Sequence, residues 1–473
     1  MRAFVRGNFS VLAFLLIAMP VWAEEPIDLP AVFDEDFVMA SGNTYLLNRD
    51  AEIRPGVSVT MQPGAVFKAC GRRVLRVRGQ FNVEGSEGDK AIIANARDDA
   101  IGLPVTCSSS FTSTVEFEST ELSSLNHVRV SRTLLRLVGG SPVEMKNIDF
   151  DPLEDFTGAI SGPLVPNLKA ENVEFSQRIT RTGYYVDSFL AGSDDTMPNI
   201  NMPYLIRNSV EVPGDGMLRI NPGVVVKMRG GFDVDGVLQV EGEPANPVVF
   251  SDPTANRHGG AVNAGFTGSF TGFNFNPLSH SSSIRHAIVA ITRSGNIVRV
   301  DGSDPMIENV LFESLSRSTF SSSALIIARQ EAQPTLTCLA LRSTTSGAWA
   351  AINNDNPVSS IEATDVFWND PRGPTVPDGD TLGARVFGDV DVEPFRTAID
   401  GPCSIDPPSN LLLDIDGDGD INPVIDGVLL SRYMAGLRGE DLTNGLVIPE
   451  GAARRTPEEI ERYLDWLVSR SAR

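Results

Sequence analysis

The stretch TYLLNRDAEIRPGVSVTMQPGAVFK, residues 44–68, is repeated further along the chain as PYLIRNSVEVPGDGMLRINPGVVVK, residues 203–227. Tyr45 matches Tyr204, and the Pro-Gly pair and the final lysine of each stretch keep the same offset of 159 residues (204 − 45). Two further pairs of segments match downstream: GQFNVEG (79–85) with GVLQVEG (236–242), and SPVEMKNIDF (141–150) with SDPMIENVLF (303–312). A nearly constant spacing over this distance indicates that one structural unit occurs twice in series.

Within each copy, short apolar segments alternate with polar residues. One such segment covers Met217–Ile220, and another, Val237–Val240, begins 20 residues later (237 − 217). These segments are rich in β-branched residues and are bounded by Gly, Pro, Asn or Ser, which is typical of strands. Helical periodicity is essentially absent before residue 420. Strands that recur without intervening helices predict a solenoid, in which each coil stacks its inward side chains on those of the next coil.

Two segments carry a resemblance to a known fold family. VPGDGMLRINPGVVVKMRGGFDVDGVLQVEGEPANPVVFSD (212–252) resembles the opening coils of secreted right-handed parallel β-helix proteins, the pectate-lyase-like superfold. IEATDVFWNDPRGP (361–374) resembles the closing segment of such proteins. The resemblance covers about residues 40–400 and implies a right-handed parallel β-helix. It implies little about activity, because this scaffold carries lyases, hydrolases, adhesins and inert spacers.

The acidic run DIDGDGDINPVID, residues 414–426, follows the EF-hand calcium-loop pattern. Carboxylates stand at positions one, three and five, a glycine stands at six for the sharp turn, and Ile421 at eight is expected to contact the core. The acidic residue expected at twelve is displaced by one residue, which indicates a one-residue insertion near Pro423 or coordination completed by water. Such crowded negative charge predicts bound Ca2+, and a solvated acidic turn without metal is the alternative. The candidate ligands are Asp414, Asp416, Asp418, Asp420, Asn422 and Asp426.

Two helices are predicted after the acidic run. The first has one apolar face, formed by Val428, Leu429, Tyr433, Met434 and Leu437. The second begins at Thr456-Pro457-Glu458-Glu459, a capping box with proline at the first helical position. Calcium loop, helix, connector and helix resemble a dockerin-like module. Such a module carries two calcium loops, and no second acidic loop precedes Thr456, so a cohesin-type partner does not follow from the resemblance.

We therefore predict a mainly β protein with two tandem right-handed parallel β-helix units, followed by a small α-helical EF-hand or dockerin-like domain. The predicted divisions are a signal peptide (1–23), a first β-helix unit (24–200), a second β-helix unit (201–400), a linker (401–410) and a dockerin-like calcium-binding domain (411–470).

The N-terminus and the net charge indicate an exported protein. The first residues combine a basic start, an apolar core from Val11 to Val21 and the small residue Ala23, which is the layout of a secretory signal peptide. No later run is long enough to span a membrane. The chain holds 39 basic and 61 acidic residues, a formal charge of -22, which excludes a typical nucleic-acid partner. We predict a secreted, extracellular or cell-surface location, with the periplasm as a further possibility.

Cysteine usage agrees with an oxidising compartment. The four cysteines fall as two early and two late in the chain, so Cys70–Cys107 and Cys338–Cys403 form the natural pairing among three possibilities. No Cys-x-x-Cys spacing occurs and histidine is scarce, which disfavours a zinc site.

Candidate catalytic residues are few. In GGFDVDG (230–236), alternation directs Asp233 and Asp235 outward, with basic residues nearby in sequence. A polysaccharide lyase needs such acids beside a basic residue that removes a proton. The first copy carries Arg76 and Arg78 at the equivalent positions. Outward strand charge without a catalytic role is therefore the competing interpretation.

The remaining features favour binding over catalysis. No nucleophile elbow, phosphate loop or paired-acid motif is present in the sequence. His127 and His286 stand at equivalent points of the duplication (286 − 127 = 159), which predicts a shared packing or turn role. We expect an extracellular or cell-surface binding or scaffold component, linked to polysaccharide binding or catabolism, with a carbohydrate or a cell-surface protein as partner. The alternative is a polysaccharide lyase or glycoside hydrolase acting on an acidic glycan.

Overall fold

The structure is a computed structural model, and its described residues cover most of the predicted β region and much of the C-terminal part. The described residues are 25–107, 112–151, 160–175, 183–188, 190–253, 270–290, 296–313, 324–342, 350–356, 359–375, 383–397, 413–418, 421–449, 452 and 454–471. The predicted signal peptide (1–23) and linker (401–410) lie outside them, and the predicted division into units stays a prediction.

Strands dominate the first repeat. In chain order they are β1 (Ile27–Asp28), β2 (Val32–Phe33), β3 (Phe37–Met39), β4 (Thr44–Leu47), β5 (Ala51–Ile53), β6 (Ser58–Met61), β7 (Val66–Ala69), β8 (Val74–Val77), β9 (Gln80–Glu84), β10 (Ala91–Asn95), β11 (Ser113–Phe117), β12 (Ser123–Ser131), β13 (Thr133–Leu137), β14 (Val143–Asp151), β15 (Ile160–Gly162) and β16 (Leu168–Phe175).

The rest of the β region continues in the same manner, with its first two strands before residue 201 and the other strands in the second repeat. Its strands are β17 (Tyr184–Val186), β18 (Asp195–Met197), β19 (Tyr204–Ile206), β20 (Val210–Val212), β21 (Met217–Ile220), β22 (Val225–Met228), β23 (Gly231–Val234), β24 (Val237–Glu241), β25 (Val248–Ser251), β26 (Gly272–Phe275), β27 (Ser283–Ala290), β28 (Val298–Asp301), β29 (Met306–Glu313), β30 (Ile326–Arg329), β31 (Thr335–Thr337), β32 (Ala340–Leu341), β33 (Ala350–Asn354), β34 (Ile361–Thr364), β35 (Val366–Phe367), β36 (Arg385–Phe387), β37 (Val390–Asp391) and β38 (Phe395–Arg396).

The coils stack in three columns, and the strands in a column pair in parallel with their counterparts in neighbouring coils. Some long strands span two columns, as β12 does by pairing with both β9 and β10. One column of the first repeat runs β2, β5, β8, β11, β13 and β15. Side chains alternate between the interior and the surface, so Leu75 and Val77 are fully buried whereas Arg76 between them is half-buried. One hydrophobic core extends from Leu29 to Val386. These stacked parallel sheets are consistent with the predicted β-helix, in which neighbouring coils bury each other's apolar faces.

Sharp bends connect two of the columns in the first repeat. His127, Asn147 and Asn172 have φ values of 50°, 56° and 51° and stack in register within β12, β14 and β16. The Asn172 amide donates to Asn147 Oδ1 at 3.0 Å, and Asn147 Nδ2 lies 3.2 Å from His127 Nε2. Below them stands Gly85, where an added Cβ would lie 1.9 Å from the His127 carbonyl oxygen. Only glycine fits there.

The second repeat contains the same bend. His286 has a φ of 46° in β27, and Asn309 continues the column with a φ of 54°. Gly242 is the equivalent of Gly85, and an added Cβ there would lie 2.0 Å from the His286 carbonyl oxygen. The predicted shared turn role of His127 and His286 is confirmed.

The two repeats form one continuous stack. β17 pairs with β15 on one side and with β19 on the other, so the strand column does not break at the boundary. β19 matches β4 in sequence, yet it continues the column that contains β5 in the first repeat. The second repeat is therefore rotated about the stacking direction by one strand column.

A disulfide tethers the segment that follows β10. Cys70 and Cys107 are bonded, with their Cα atoms 5.6 Å apart, as predicted. Within this segment the Leu103 carbonyl accepts a hydrogen bond from the buried Lys68 ammonium at 2.7 Å. Cys338 is also disulfide-bonded, and its predicted partner Cys403 lies outside the described residues.

Among the residues that the structure describes, three helices follow the β region. They are α1 (Asp426–Met434), α2 (Glu440–Thr443) and α3 (Pro457–Ser471). The predicted capping box is confirmed, because the Glu459 N–H donates to Thr456 Oγ1 at 3.3 Å and the Thr456 N–H donates to Glu459 Oε2 at 3.2 Å. Their apolar side chains share a separate core with Ile415: Leu429, Tyr433, Leu442, Ile460, Tyr463 and Leu464. In the part of the chain that the structure describes, no helix is long and apolar enough to cross a membrane.

Candidate metal centre

Three carboxylates converge where the acidic loop meets α1. Asp414 and Asp416 lie in the loop, Asp426 is the first residue of α1, and all three are buried. One oxygen from each lies within 4.8 Å of the others. Gly417, with a φ of 73°, supplies the left-handed turn between them. Three of the six predicted ligands are therefore brought together in one cluster.

Backbone amides orient the carboxylates of Asp414 and Asp426. Asp414 Oδ1 accepts hydrogen bonds from the N–H groups of Gly417 at 2.7 Å and Asp418 at 3.1 Å. Asp426 Oδ1 accepts from the Ile415 N–H at 2.6 Å and from the Asp416 N–H at 3.2 Å. The Asp426 carboxylate, at the start of α1, therefore holds the end of the loop against its beginning. Its displacement by one residue from the expected spacing does not remove it from the cluster.

The third carboxylate has an oxygen without a partner. Asp416 Oδ1 accepts from the Asp418 N–H at 3.2 Å, but Asp416 Oδ2 is buried and has no hydrogen-bond partner among the described residues. Burial, and then the neighbouring charges of Asp418, Asp426 and Asp414, raise the pKa of Asp416 to about 7. A buried carboxylate oxygen that faces other carboxylates is unfavourable unless a cation or a proton neutralises it.

The other predicted ligands have mixed outcomes. Asp418 is half-buried, and Asn422 Oδ1 accepts a hydrogen bond from the Val424 N–H at 2.9 Å. Asp420 and the turn residue Gly419 lie outside the described residues. The core contact expected of Ile421 is wrong, because its side chain is 47% exposed and Ile415 fills the core instead. An apolar residue earlier in the same loop thus takes over the packing role.

The sequence did not predict the role of Arg454, which binds the backbone of the acidic loop. Its guanidinium donates to the carbonyl oxygens of Asp414 at 2.5 Å and Ile415 at 2.6 Å. Its backbone N–H donates to the Asp416 carbonyl oxygen at 2.7 Å. The guanidinium also stacks on Tyr463 of α3, 3.9 Å from the ring centroid. A single arginine between two predicted elements carries no motif that could have revealed this role.

The candidate catalytic acids lie elsewhere and have their own partners. Asp233 accepts a hydrogen bond from the Asn274 amide at 2.7 Å, and Asp235 accepts one from the Asn276 amide at 2.9 Å. Both amides come from the next coil of the same column. The structure thus places Asp233 and Asp235 on the outward face as predicted, each paired with a neutral amide donor.

The donor set of the C-terminal cluster determines which metals it suits. Carboxylates are hard oxygen ligands, and no cysteine or histidine joins Asp414, Asp416 and Asp426 within the described residues. The three acids therefore suit a hard divalent cation. Comparisons with family models, with curated proteins and with solved structures found no match for the chain. The interpretation of the cluster rests on its own geometry and chemistry.

Proposed function

We propose that this chain is a secreted, calcium-binding β-helix protein that acts as an extracellular or cell-surface binding or scaffold component. The observation that carries the metal assignment is the buried Asp416 Oδ2, which has no hydrogen-bond partner in the described part of the chain and lies beside Asp414 and Asp426. Three buried carboxylates at this spacing repel one another, and a bound divalent cation converts the repulsion into attraction. Charged side chains stand at outward strand positions, such as Arg76 in β8 and Asp233 in β23, and this surface supports the binding or scaffold role.

Calcium is favoured over magnesium by the construction of the site. Ca2+ accepts six to eight oxygen ligands in a flexible arrangement, whereas Mg2+ demands a near-ideal octahedron and retains several waters. Here the acids come from a short glycine-containing loop and from the helix that follows, and each of the three carboxylates accepts a hydrogen bond from a backbone amide of the loop. In the EF-hand pattern, Asp418 at position five and the backbone carbonyl of position seven, Asp420, are the further ligands.

Calcium titration of the full chain tests the assignment. Thermal unfolding of the C-terminal helices is followed with calcium, with magnesium and after chelation. At free calcium of about 100 times Kd, binding adds about 2.7 kcal/mol to the free energy of unfolding. Asp416→Asn keeps the shape of the side chain and removes its charge, so it should abolish most of this stabilisation.

The matched control is Asp441→Asn, which removes an exposed acid from α2 in the same part of the chain. This variant should respond to calcium like the wild type, as measured by the same unfolding experiment and by calorimetric titration. An unchanged unfolding temperature of the wild type in calcium, or an equal response of Asp416→Asn, would refute the metal assignment.

The enzyme alternative requires turnover of a glycan. A lyase acting on an acidic glycan needs carboxylates free to hold a cation beside a base, and Asp233 and Asp235 instead accept hydrogen bonds from asparagine amides. The scaffold role predicts that purified protein retains a carbohydrate or a surface protein without cleaving it. Release of unsaturated or shortened glycan products, lost in both Asp233→Asn and Asp235→Asn, would replace the scaffold proposal with the enzyme.

A further inference from the structure

Arg454 connects the acidic loop to α3 without contributing an oxygen ligand. Three consecutive loop carbonyls, those of Asp414, Ile415 and Asp416, accept hydrogen bonds from this one residue at 2.5, 2.6 and 2.7 Å. The same three residues supply two of the clustered carboxylates and the core side chain of the loop. Arg454 therefore fixes the backbone that determines where the carboxylates point.

The position of the guanidinium is itself fixed. Its plane lies 3.9 Å from the ring centroid of Tyr463, which is buried in the shared core of the helices beside Ile460 and Leu464. Arginine suits this place because its planar group can stack on an aromatic ring and donate two hydrogen bonds in a fixed fork. Lysine offers a single compact charge and cannot reproduce both contacts.

We propose that Arg454 is a positioning residue that preforms the metal loop and links metal occupancy to the docking of α3. This inference rests on the calcium site proposed above. A loop held by Arg454 needs less ordering when the cation binds, so affinity rises through preorganisation. Outer-shell partners of this kind typically contribute a factor of 10 to 100 in metal affinity.

The positive charge of Arg454 and its hydrogen bonds to the loop have opposite expected effects on calcium affinity, so an experiment can separate them. A guanidinium near a cation site repels the cation, so if charge dominated, removal of Arg454 would tighten calcium binding. If positioning dominates, removal weakens binding. Arg454→Met removes the charge and the fork and keeps most of the apolar stem, and Arg454→Lys keeps the charge and removes the fork.

Calorimetric calcium titration of the full chain compares both variants with the wild type and with Arg455→Ala. Arg455 is the exposed neighbour whose backbone N–H, not its side chain, bonds Glu459. We expect a 10- to 100-fold weaker affinity for Arg454→Met, a similar loss for Arg454→Lys and no change for Arg455→Ala. Equal or tighter binding by Arg454→Met would overturn the inference, as would wild-type affinity in Arg454→Lys.

A second readout does not depend on bound metal. In calcium-free protein, hydrogen exchange of the Gly417 and Asp418 amides, which bond Asp414 Oδ1, should be at least ten times faster in Arg454→Met than in Arg455→Ala. Unchanged exchange would show that the loop keeps its form without Arg454 and would overturn the inference. A wild-type chain that binds no calcium but shows the exchange difference would refute the proposed function and leave the positioning role standing.

Discussion

The same two surface positions carry opposite chemistry in the two repeats. In the first repeat Arg78 donates to Glu118 in the next coil at 2.9 Å. In the second repeat the equivalent pair is Asp235 and Asn276, and the asparagine amide donates at the same distance of 2.9 Å. Inward positions stay apolar in both repeats. The inward residues therefore specify the coil, and the outward residues are free to differ between the copies.

The equivalent buried lysines extend this contrast. Lys68 and Lys227 are both fully buried. Burial lowers the pKa of Lys68, and the charges of Asp99 and Asp98 oppose that effect. Burial lowers the pKa of Lys227 to about 8, opposed by the charge of Asp252. The two equivalent lysines thus experience different electrostatic environments.

The largest expected effect is the pH dependence that Lys227 confers. Its folded pKa of about 8 lies below the ordinary lysine value of 10.5. Between these values the unfolded chain binds more protons than the folded chain, so stability rises as the pH increases through this window. The full cost of burying the charge is present below pH 8. The shift corresponds to about 3 kcal/mol.

Denaturant unfolding at pH 7.5 and 10.5 measures the contribution of Lys227 to the pH dependence of stability. The wild type should gain about 3 kcal/mol relative to Lys227→Met across the window. Lys68→Met is the matched control from the first repeat, where nearby acids and the Leu103 carbonyl stabilise the charge. Parallel pH profiles for the wild type and Lys227→Met would contradict the contrast between the two lysines.

The strands were predictable because their signal is local. The apolar segments read at Met217–Ile220 and Val237–Val240 are β21 and, apart from one residue, β24. The duplication likewise anticipated the shared bends at His127 and His286. The rotation of the second repeat by one strand column was not predictable. It depends on which strand of the last coil pairs with Tyr184, and sequence offsets do not record that pairing.

The candidate metal site likewise has a part that the sequence predicts and a part that it does not. Asp414, Asp416 and Asp426 lie close in sequence within a recognisable pattern, so their convergence could be predicted. Arg454 lies 40 residues from Asp414, and its role arises only when α3 packs against the loop. The predicted apolar face of α1 was partly wrong, because Met434 is the last residue of the helix and is 70% exposed. Helix ends and long-range partners are set by packing.

The paired surface positions offer the smallest and most discriminating test. Asn276→Ala removes a neutral donor from a carboxylate and should lower the free energy of unfolding by about 1 kcal/mol. Glu118→Ala, at the equivalent position, should lower the free energy of unfolding by less. An exposed ion pair contributes little in water, and Arg78 still pairs with Glu52, 3.2 Å away. Salt separates the two mechanisms. At about 1 M NaCl the screening length falls to about 3 Å.

Denaturant midpoints of both variants at low salt and at about 1 M NaCl complete the comparison. The loss in Glu118→Ala should vanish at high salt, whereas the loss in Asn276→Ala should persist because a short hydrogen bond between half-buried groups is screened far less. A loss in Glu118→Ala that exceeds the other and resists salt would mean that the ion pairs of the first repeat stabilise the stack itself. The outward positions would then constrain the fold, and the two repeats would differ in stability as well as in surface chemistry.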